Sequence, residues 1–339
     1  MNEIDNDWES FLDNTNIINE RAITENDTHI HTEIIPKSTD LYISTKTKIS
    51  YLNIDKINLY DTFWNIPIIS YHEMKTGVVK KQMKFNLTSE EELQDITNKL
   101  ENVNYYKVDI IHSNKYNHGK TQIFKDVRKI NIGLSKKDII SYRSKTKSAF
   151  YNCFVIILRI KDKNNYKEIH VKVFNTGKLE IPGIQDDDLH STILKEVVDI
   201  LNVNMNTTTI EVPDTSETVL VNSNFRCGYY IDRDIMYKLL KYKYNINATY
   251  DPCSYPGIQC KYSVTDTTTI SFMIFRTGSV LIVGKCEMDT LYKVYEFLVN
   301  MLKDEYSDVQ ISNNIETKEL GVKNVKIRKK NIFVNSNHY

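Results

Sequence analysis

One hairpin-like segment occurs twice in the chain, and this internal repeat constrains the fold more than any other feature. Val171–Gly183 (VKVFNTGKLEIPG) recurs as Phe272–Gly284 (FMIFRTGSVLIVG), with Phe, Thr and both Gly residues kept at a single offset of 101 residues. Two β-rich runs separated by a short Gly-containing segment are typical of a β-hairpin. Because self-similarity at a fixed spacing marks repeated structural units, the sequence predicts two duplicated halves.

Each hairpin is followed by a predicted helix and preceded by a predicted strand. Apolar residues recur at helical spacing over Leu189–Leu201, behind a run of acids suited to a helix N-terminus, and again over Leu291–Leu302. The preceding strands are predicted at Phe154–Ile160 and Tyr255–Val264, and the same offset of 101 residues aligns their first residues. We therefore expect an α+β fold in which one antiparallel sheet has helices on one face and leaves its other face for a partner.

Composition excludes several classes of protein. No run approaches the roughly 20 apolar residues of a bilayer span, and the N-terminus is acidic, unlike a signal peptide, which predicts an intracellular protein with no membrane partner. Five cysteines without a C-x-x-C pair predict reduced thiols rather than disulfides or a zinc knuckle. His29 and His31 lack the further ligands that a structural metal needs, so no metal is expected.

Charge is unevenly distributed along this formally neutral chain. Residues 1–45 hold ten acids and two bases, whereas the whole chain has 44 of each, so the remainder is net basic and compatible with phosphate binding. The polar residues 1–45 are predicted to be a disordered acidic arm. Residues 308–339 are predicted to be a basic extension, either a contact to a DNA backbone or partner or a solvated tail; its bases are Lys318, Lys323, Lys326, Arg328, Lys329 and Lys330.

These motifs resemble the core of the TATA-box-binding protein (TBP) family. Beside the paired Phe-x-Thr-Gly hairpins, Tyr250–Gly257 (YDPCSYPG) stands where the family has a Tyr-Glu-Pro-x-x-Phe-Pro-Gly stretch. Val219–Cys227 (VLVNSNFRC) is similar to the family's opening strand with its base-contacting Asn. The resemblance implies a saddle in which two pseudo-repeats form one curved sheet with helices on the convex face. A long insert and divergent repeats make the chain similar to the TBP-like proteins of large nucleocytoplasmic DNA viruses.

The resemblance also predicts how the chain is divided. The first repeat spans residues 46–203 with an insert at about 75–145, and the second repeat spans residues 204–307. Val78–Phe85 in the insert is predicted to be an extra strand. The first opening strand is placed at Ile49–Ile54, where Asn53 matches the second-half Asn222; a rival alignment uses Asn131.

Eight residues are implied as DNA contacts, in three roles. Minor-groove binders read A·T against G·C pairs and insert apolar wedges between base steps, which kinks the duplex. By resemblance, the wedges are Phe154, Phe174, Tyr255 and Phe275, the groove-floor amides are Asn53 and Asn222, and the phosphate contacts are Arg159 and Lys261.

Departures from the family pattern predict weak selectivity for a strict TATA element. Pro182 and Val283 stand where the family's hairpins carry threonine, so those hydroxyl contacts are missing. Glu180 stands where the family has an apolar residue that faces the groove, and a carboxylate there disfavours DNA unless it is paired. Tyr255 replaces a wedge phenylalanine and adds a hydroxyl that needs a partner.

The function implied by the resemblance is a general transcription initiation factor. It binds and bends A·T-rich double-stranded promoter DNA and recruits a TFIIB-like factor and RNA polymerase, in a viral factory or virion if viral and otherwise in the nucleus. The alternative is a protein-binding transcription adaptor with the same fold and little DNA affinity. An enzyme is not expected, because Gly119-Lys-Thr121 lacks the upstream glycine of a P-loop and no other catalytic motif occurs, and neither a cofactor nor a small-molecule substrate is expected.

Overall fold

A computed structural model describes residues 35–118, 121–140, 150–205, 210–265 and 267–311. These residues fall into two compact units: the first half spans Ile43–Val221, and the second half spans residues 222–311 together with residues 35–42. Most of the predicted acidic arm lies outside the described residues, as do His29, His31 and the bases of the predicted C-terminal extension. The first strand begins at Tyr42, inside the range predicted for the arm.

In the first half, antiparallel strands pair in the order β3-β4-β2-β5-β6-β7-β1. The strands are β1 (Tyr42–Tyr51), β2 (Gly77–Leu87), β3 (Tyr106–His118), β4 (Thr121–Gly133), β5 (Cys153–Asp162), β6 (Asn165–Phe174) and β7 (Lys178–Ile184). The helices are α1 (Leu59–Asn65), α2 (Glu90–Glu101), α3 (Lys136–Ile140) and α4 (Asp187–Asn204).

The second half is shorter and has the strand order β8-β12-β11-β10-β9. Its strands are β8 (Ser216–Arg226), which crosses the division between the units, β9 (Asn247–Thr249), β10 (Ile258–Ser263), β11 (Thr269–Ile274) and β12 (Ser279–Gly284). Its helices are α5 (Arg233–Lys238), which continues into a π-helical turn at Leu239–Lys243, α6 (Met288–Asp304) and α7 (Tyr306–Val309).

The two halves repeat one arrangement of strands. The order β1-β7-β6-β5-β2 in the first half matches β8-β12-β11-β10-β9 in the second. The predicted α+β class, with repeated antiparallel strands backed by helices, is confirmed. The predicted insert supplies the additional strands β3 and β4 and the helices α2 and α3. A strand at Val78–Phe85 is confirmed as part of β2, but it is the counterpart of β9 and not an extra strand.

Both repeated hairpins close through the same turn. The Gly177 amide donates to the Phe174 carbonyl at 3.1 Å, and the Gly278 amide donates to the Phe275 carbonyl at 3.0 Å. Each glycine has a positive φ, 73° and 75°, a conformation that glycine adopts at little cost. The glycine carbonyls then accept bonds of 2.9 Å from the amides of Leu52 and Cys227, the residues that follow the opening strands β1 and β8.

The helices predicted behind the hairpins are confirmed. Helix α4 begins after Asp186, whose side chain accepts a hydrogen bond from the Leu189 amide at 2.7 Å, as an N-cap does. Its apolar stripe packs with α1, α2 and the strands in one core. Helix α6 buries the same kind of stripe, and Tyr262 of β10 stacks on Phe297 of α6 with ring centroids 4.9 Å apart.

A buried lysine ties β2 to the end of α1. The Lys81 ammonium donates to the carbonyls of Phe63 and Ile66, both at 2.6 Å, which are groups that a helix C-terminus leaves without intrahelical partners. Lys81 is largely buried, and this burial lowers the pKa of its ammonium to about 8. Lys81 therefore fixes the position of α1 against the sheet, on the same face as the core.

All five cysteines are free thiols, as the sequence predicted. Burial raises the pKa of the Cys260 thiol to about 12, so this group stays protonated and unreactive at neutral pH. Among the described helices, none combines the length and apolar character needed to cross a bilayer.

Candidate nucleic-acid interface

Each half of the sheet has one face against the helices and one face turned away from them, which we call the distal face. In the second half, Ile258, Phe272 and Ile282 point toward the helices and are fully buried. Side chains alternate along a strand, so their neighbours lie on the distal face. The strand register places Gln259 beside Met273 and Met273 beside Leu281 on that face.

An aromatic pair and two aliphatic side chains form a cluster on the distal face of the second half. Met273, Phe275 and Leu281 pack together, separately from the helix-side core, and Tyr255 packs against them. The rings of Tyr255 and Phe275 meet edge to face with centroids 6.0 Å apart, and the Tyr255 hydroxyl lies 3.4 Å from the Met273 sulfur. Gly257 permits this approach, because a Cβ there would lie 2.6 Å from the Phe275 ring. Both predicted second-half wedges therefore lie together, away from the helices.

Two other predicted contacts share the distal face of the second half. Lys261 of β10 is exposed and pairs with Ser271, one step along the sheet from the aromatic cluster. Asn222 of β8 is half-buried and alternates with Val221 and Ser223, which are buried toward the helices. Their locations suit DNA contacts, and their roles stay predictions.

In the first half, Phe174 also lies on the distal face. Its neighbour Val173 belongs to the helix-side core, whereas Phe174 is half-buried with the Lys178 ammonium 4.7 Å from its ring centroid. Phe174 and Phe275 thus occupy equivalent sites, at the ends of β6 and just after β11, immediately before the same turn.

The prediction that Phe154 is a wedge is wrong. Phe154 is fully buried in the helix-side core, and its ring lies 6.3 Å from that of Phe63 in α1. The register explains the error: Lys172 pairs with Val155, 17 residues earlier, but the equivalent Met273 pairs with Gln259, only 14 residues earlier. The offset between β5 and β10 is therefore 104 rather than 101, and a change by an odd number turns a side chain to the opposite face.

With the corrected offset, the counterpart of Tyr255 is Tyr151. Tyr151 lies two residues before the start of β5 and is 56% exposed, and the Lys84 ammonium of β2 lies 3.8 Å from its ring centroid. It is close to Phe174 in the sheet, because Asn152 and Asn175 are joined by a backbone hydrogen bond of 3.0 Å. Sequence reasoning missed Tyr151, although the short Asn-rich turn at Lys163-Asn164 could have indicated a tighter hairpin than its Thr-rich counterpart.

Arg159 is not available as a phosphate contact. Its side chain is 4% exposed and donates to the carbonyls of Tyr71 and Glu73 at 2.7 and 2.8 Å, and its second terminal nitrogen pairs with Glu168 at 3.2 Å. A guanidinium held by three internal acceptors serves the first half's own structure. The prediction for Arg159 is therefore wrong.

Asn53 does not occupy the centre of a strand. It is exposed in the loop after β1, where its side-chain oxygen accepts a hydrogen bond from the Glu211 amide at 3.0 Å. Because Leu52 and Cys227 make the same bond to the hairpin glycines, the counterpart of Asn53 is Gly228. The pairing of Asn53 with Asn222 is therefore wrong. The rival candidate, Asn131, lies in the inserted strand β4 and so is not its replacement.

Glu180 lies on the distal face of the first half, and it is paired. Its carboxylate accepts a hydrogen bond from the Lys172 ammonium at 2.7 Å, between neighbouring positions of β6 and β7. Both side chains are mostly buried. From the sequence, an unpaired carboxylate at Glu180 was expected to disfavour DNA binding. The ion pair with Lys172 compensates the negative charge of this carboxylate.

Comparisons with known proteins find one family match, and it covers the second half. Residues 221–305 match the model of the family described as transcription factor TFIID, or TATA-binding protein. A protein of Acanthamoeba polyphaga mimivirus, "TATA-box-binding protein-like", is 24% identical over 204 residues, which are 52% of this chain and 55% of that relative. The chain thus spans about half the length of this curated relative. The resemblance predicted from the hairpin motifs, to TBP and to its viral relatives, is confirmed.

Among solved structures, the chain is similar to Methanococcus jannaschii TBP. The TM-score is 0.41 and the sequence identity is 10%, with 78% of this chain and 99% of the archaeal chain covered.

Proposed function

We propose that this chain is a TBP-like transcription initiation factor whose two halves bind the minor groove of promoter DNA with their distal faces. The observation that supports this most is the Tyr255–Phe275 pair, two adjoining rings on the face turned away from the helices, in the segment that matches the TBP family model. Apolar rings on a strand surface can enter between base steps, which partially unstacks them and kinks the duplex.

The first half supplies the second aromatic pair, Tyr151 and Phe174. Wedges in both halves kink the duplex at two places, and Lys261 and Lys84, which lie on or beside the distal faces, neutralise neighbouring phosphates. Helices α4 and α6 lie on the other face of their halves and remain for protein partners. The bent duplex recruits a TFIIB-like factor and RNA polymerase, and the chain itself catalyses no reaction. The mimivirus relative favours a viral source, with action in a viral factory or packaging in the virion.

Fluorescence anisotropy with the full chain tests this function. An A·T-rich duplex is expected to bind at least about tenfold more tightly than a G·C-rich duplex of equal length, because only the guanine amine obstructs the minor-groove floor. The affinity is expected to fall about tenfold or more between about 50 and about 200 mM salt, since a few lysine–phosphate contacts release counterions. Equal affinity for both duplexes, or none for either, contradicts the proposal and supports the adaptor function.

A further inference from the structure

The two halves differ in charge at equivalent positions of their distal faces. In the first half, Lys172 and Glu180 are cross-strand neighbours joined by an ion pair of 2.7 Å. In the second half, the same two positions hold Met273 and Leu281, which are also cross-strand neighbours and are packed against Phe275. Lys172 and Met273 are each two residues before the wedge phenylalanine of their half, and Glu180 and Leu281 are their cross-strand neighbours, so each pair faces the base pairs that adjoin that wedge.

The two pairs suit different base pairs. In the minor groove, A·T and T·A present only acceptors, and G·C adds the guanine N2 amine, a donor. Leu281 offers no acceptor, and the Met273 sulfur is a weak acceptor that already receives the Tyr255 hydroxyl at 3.4 Å, so a buried guanine amine against them loses its hydrogen bond to water, which is costly. The Glu180 carboxylate can accept from that amine, while the Lys172 ammonium donates to a groove acceptor. Against A·T pairs, the same carboxylate faces acceptors alone, which is unfavourable.

We propose that the ion pair makes the first half tolerant of a G·C pair, whereas the second half requires A·T. The chain therefore recognises an asymmetric promoter element, A·T-only at one end and G·C-permissive at the other, and binds it in one orientation. This inference rests on the proposed minor-groove function and specifies its substrate.

A scan of single G·C substitutions through an A·T-rich duplex tests the inference with the full chain. Cys253, an exposed thiol in the loop before Tyr255, carries an iron chelate whose cleavage of the DNA marks the end bound by the second half. Cys286, the other thiol that is not buried, is replaced by serine in the labelled protein. A G·C pair near the cleavage site, at the end bound by the second half, is expected to weaken binding by about 5- to 150-fold, the usual cost of a wrong base pair. A G·C pair at the end bound by the first half is expected to weaken binding by less than about threefold.

Exchanging the pairs between the halves supplies matched variants. Lys172→Met with Glu180→Leu is expected to raise the cost of G·C at the first-half end to the second-half value, whereas Glu180→Gln keeps an acceptor and keeps the tolerance. Met273→Lys with Leu281→Glu is expected to lower the cost at the second-half end. Equal G·C costs at both ends in wild type, or tolerance that persists in the Met/Leu variant, overturns the inference alone. Absence of binding to every duplex overturns it together with the proposed function.

Discussion

Replacing both Tyr255 and Phe275 by alanine is expected to weaken binding to an A·T-rich duplex by at least about 30-fold. Stacking of a base on an aromatic side chain is worth about 1–3 kcal/mol, so losing two rings costs about 2–6 kcal/mol, and each 1.4 kcal/mol is a factor of about ten. The two rings contact each other on the distal face and pack with Met273 and Leu281. Their removal therefore takes away both aromatic rings that can enter the base stack in this half.

Phe272→Leu is the matched control for this loss. Phe272 lies three residues before Phe275 but points toward the helices and is fully buried. This replacement costs about 1 kcal/mol of stability through imperfect repacking and leaves the affinity of the folded protein unchanged. Anisotropy titrations corrected for the folded fraction from circular dichroism separate the two effects. Binding by the double variant within about threefold of wild type contradicts the wedge assignment.

Gly278→Ala is expected to reduce the free energy of unfolding by about 3–5 kcal/mol, a large part of the stability of a typical domain. A Cβ at this position lies 2.2 Å from the Tyr229 carbonyl oxygen and 2.7 Å from the Cys227 sulfur. The backbone must therefore shift in addition to bearing the strain of a left-handed conformation, which costs about 1–2 kcal/mol. A shift of this turn breaks the bond from the Cys227 amide to the Gly278 carbonyl, which joins the opening strand to the hairpin.

Gly183→Ala separates backbone strain from steric contact. Gly183 also has a positive φ, of 81°, but nothing lies within 4 Å of a Cβ placed there. This control is expected to lose only the about 1–2 kcal/mol of backbone strain. Chemical denaturation followed by far-UV circular dichroism gives both values. If the two variants lose equal free energies of unfolding, the close packing around Gly278 does not contribute to the stability of this turn, which contradicts the prediction.

The hairpins and the helices behind them were predictable because their signals are local. A Phe-x-Thr-Gly turn with β-rich flanks predicts a hairpin, and apolar residues at helical spacing after it predict a helix, without information from the rest of the chain. The strand at Val78–Phe85 was predictable for the same reason. Its place in the repeat as the counterpart of β9 was not, because that place depends on pairing with β4 and β5 from distant parts of the chain.

The candidate site was only partly predictable, because its residues depend on register between strands. Phe174 and Phe275 adjoin a turn that has the same length in both halves, so one offset places both correctly. Phe154 lies in β5, and the β5–β6 hairpin is three residues longer than the β10–β11 hairpin. Because of this difference, Phe154 points into the core, and Tyr151 occupies the position equivalent to Tyr255. Side-chain partners from distant parts of the chain could not be predicted either. Nothing in the sequence around Arg159 shows that its guanidinium donates to the carbonyls of Tyr71 and Glu73.

The bend of a doubly labelled A·T-rich duplex, measured by fluorescence energy transfer at saturating protein, tests most directly whether rings on the distal faces deform DNA. Wild type is expected to increase the transfer as apolar wedges kink the duplex, by about 20–90° at each site. Two double variants are each expected to lose about half of that increase: Tyr151→Ala with Phe174→Ala in the first half, and Tyr255→Ala with Phe275→Ala in the second half. The control Phe154→Leu is expected to lose none of it. An unbent duplex in the wild-type complex, or an equal bend in all four proteins, contradicts the account.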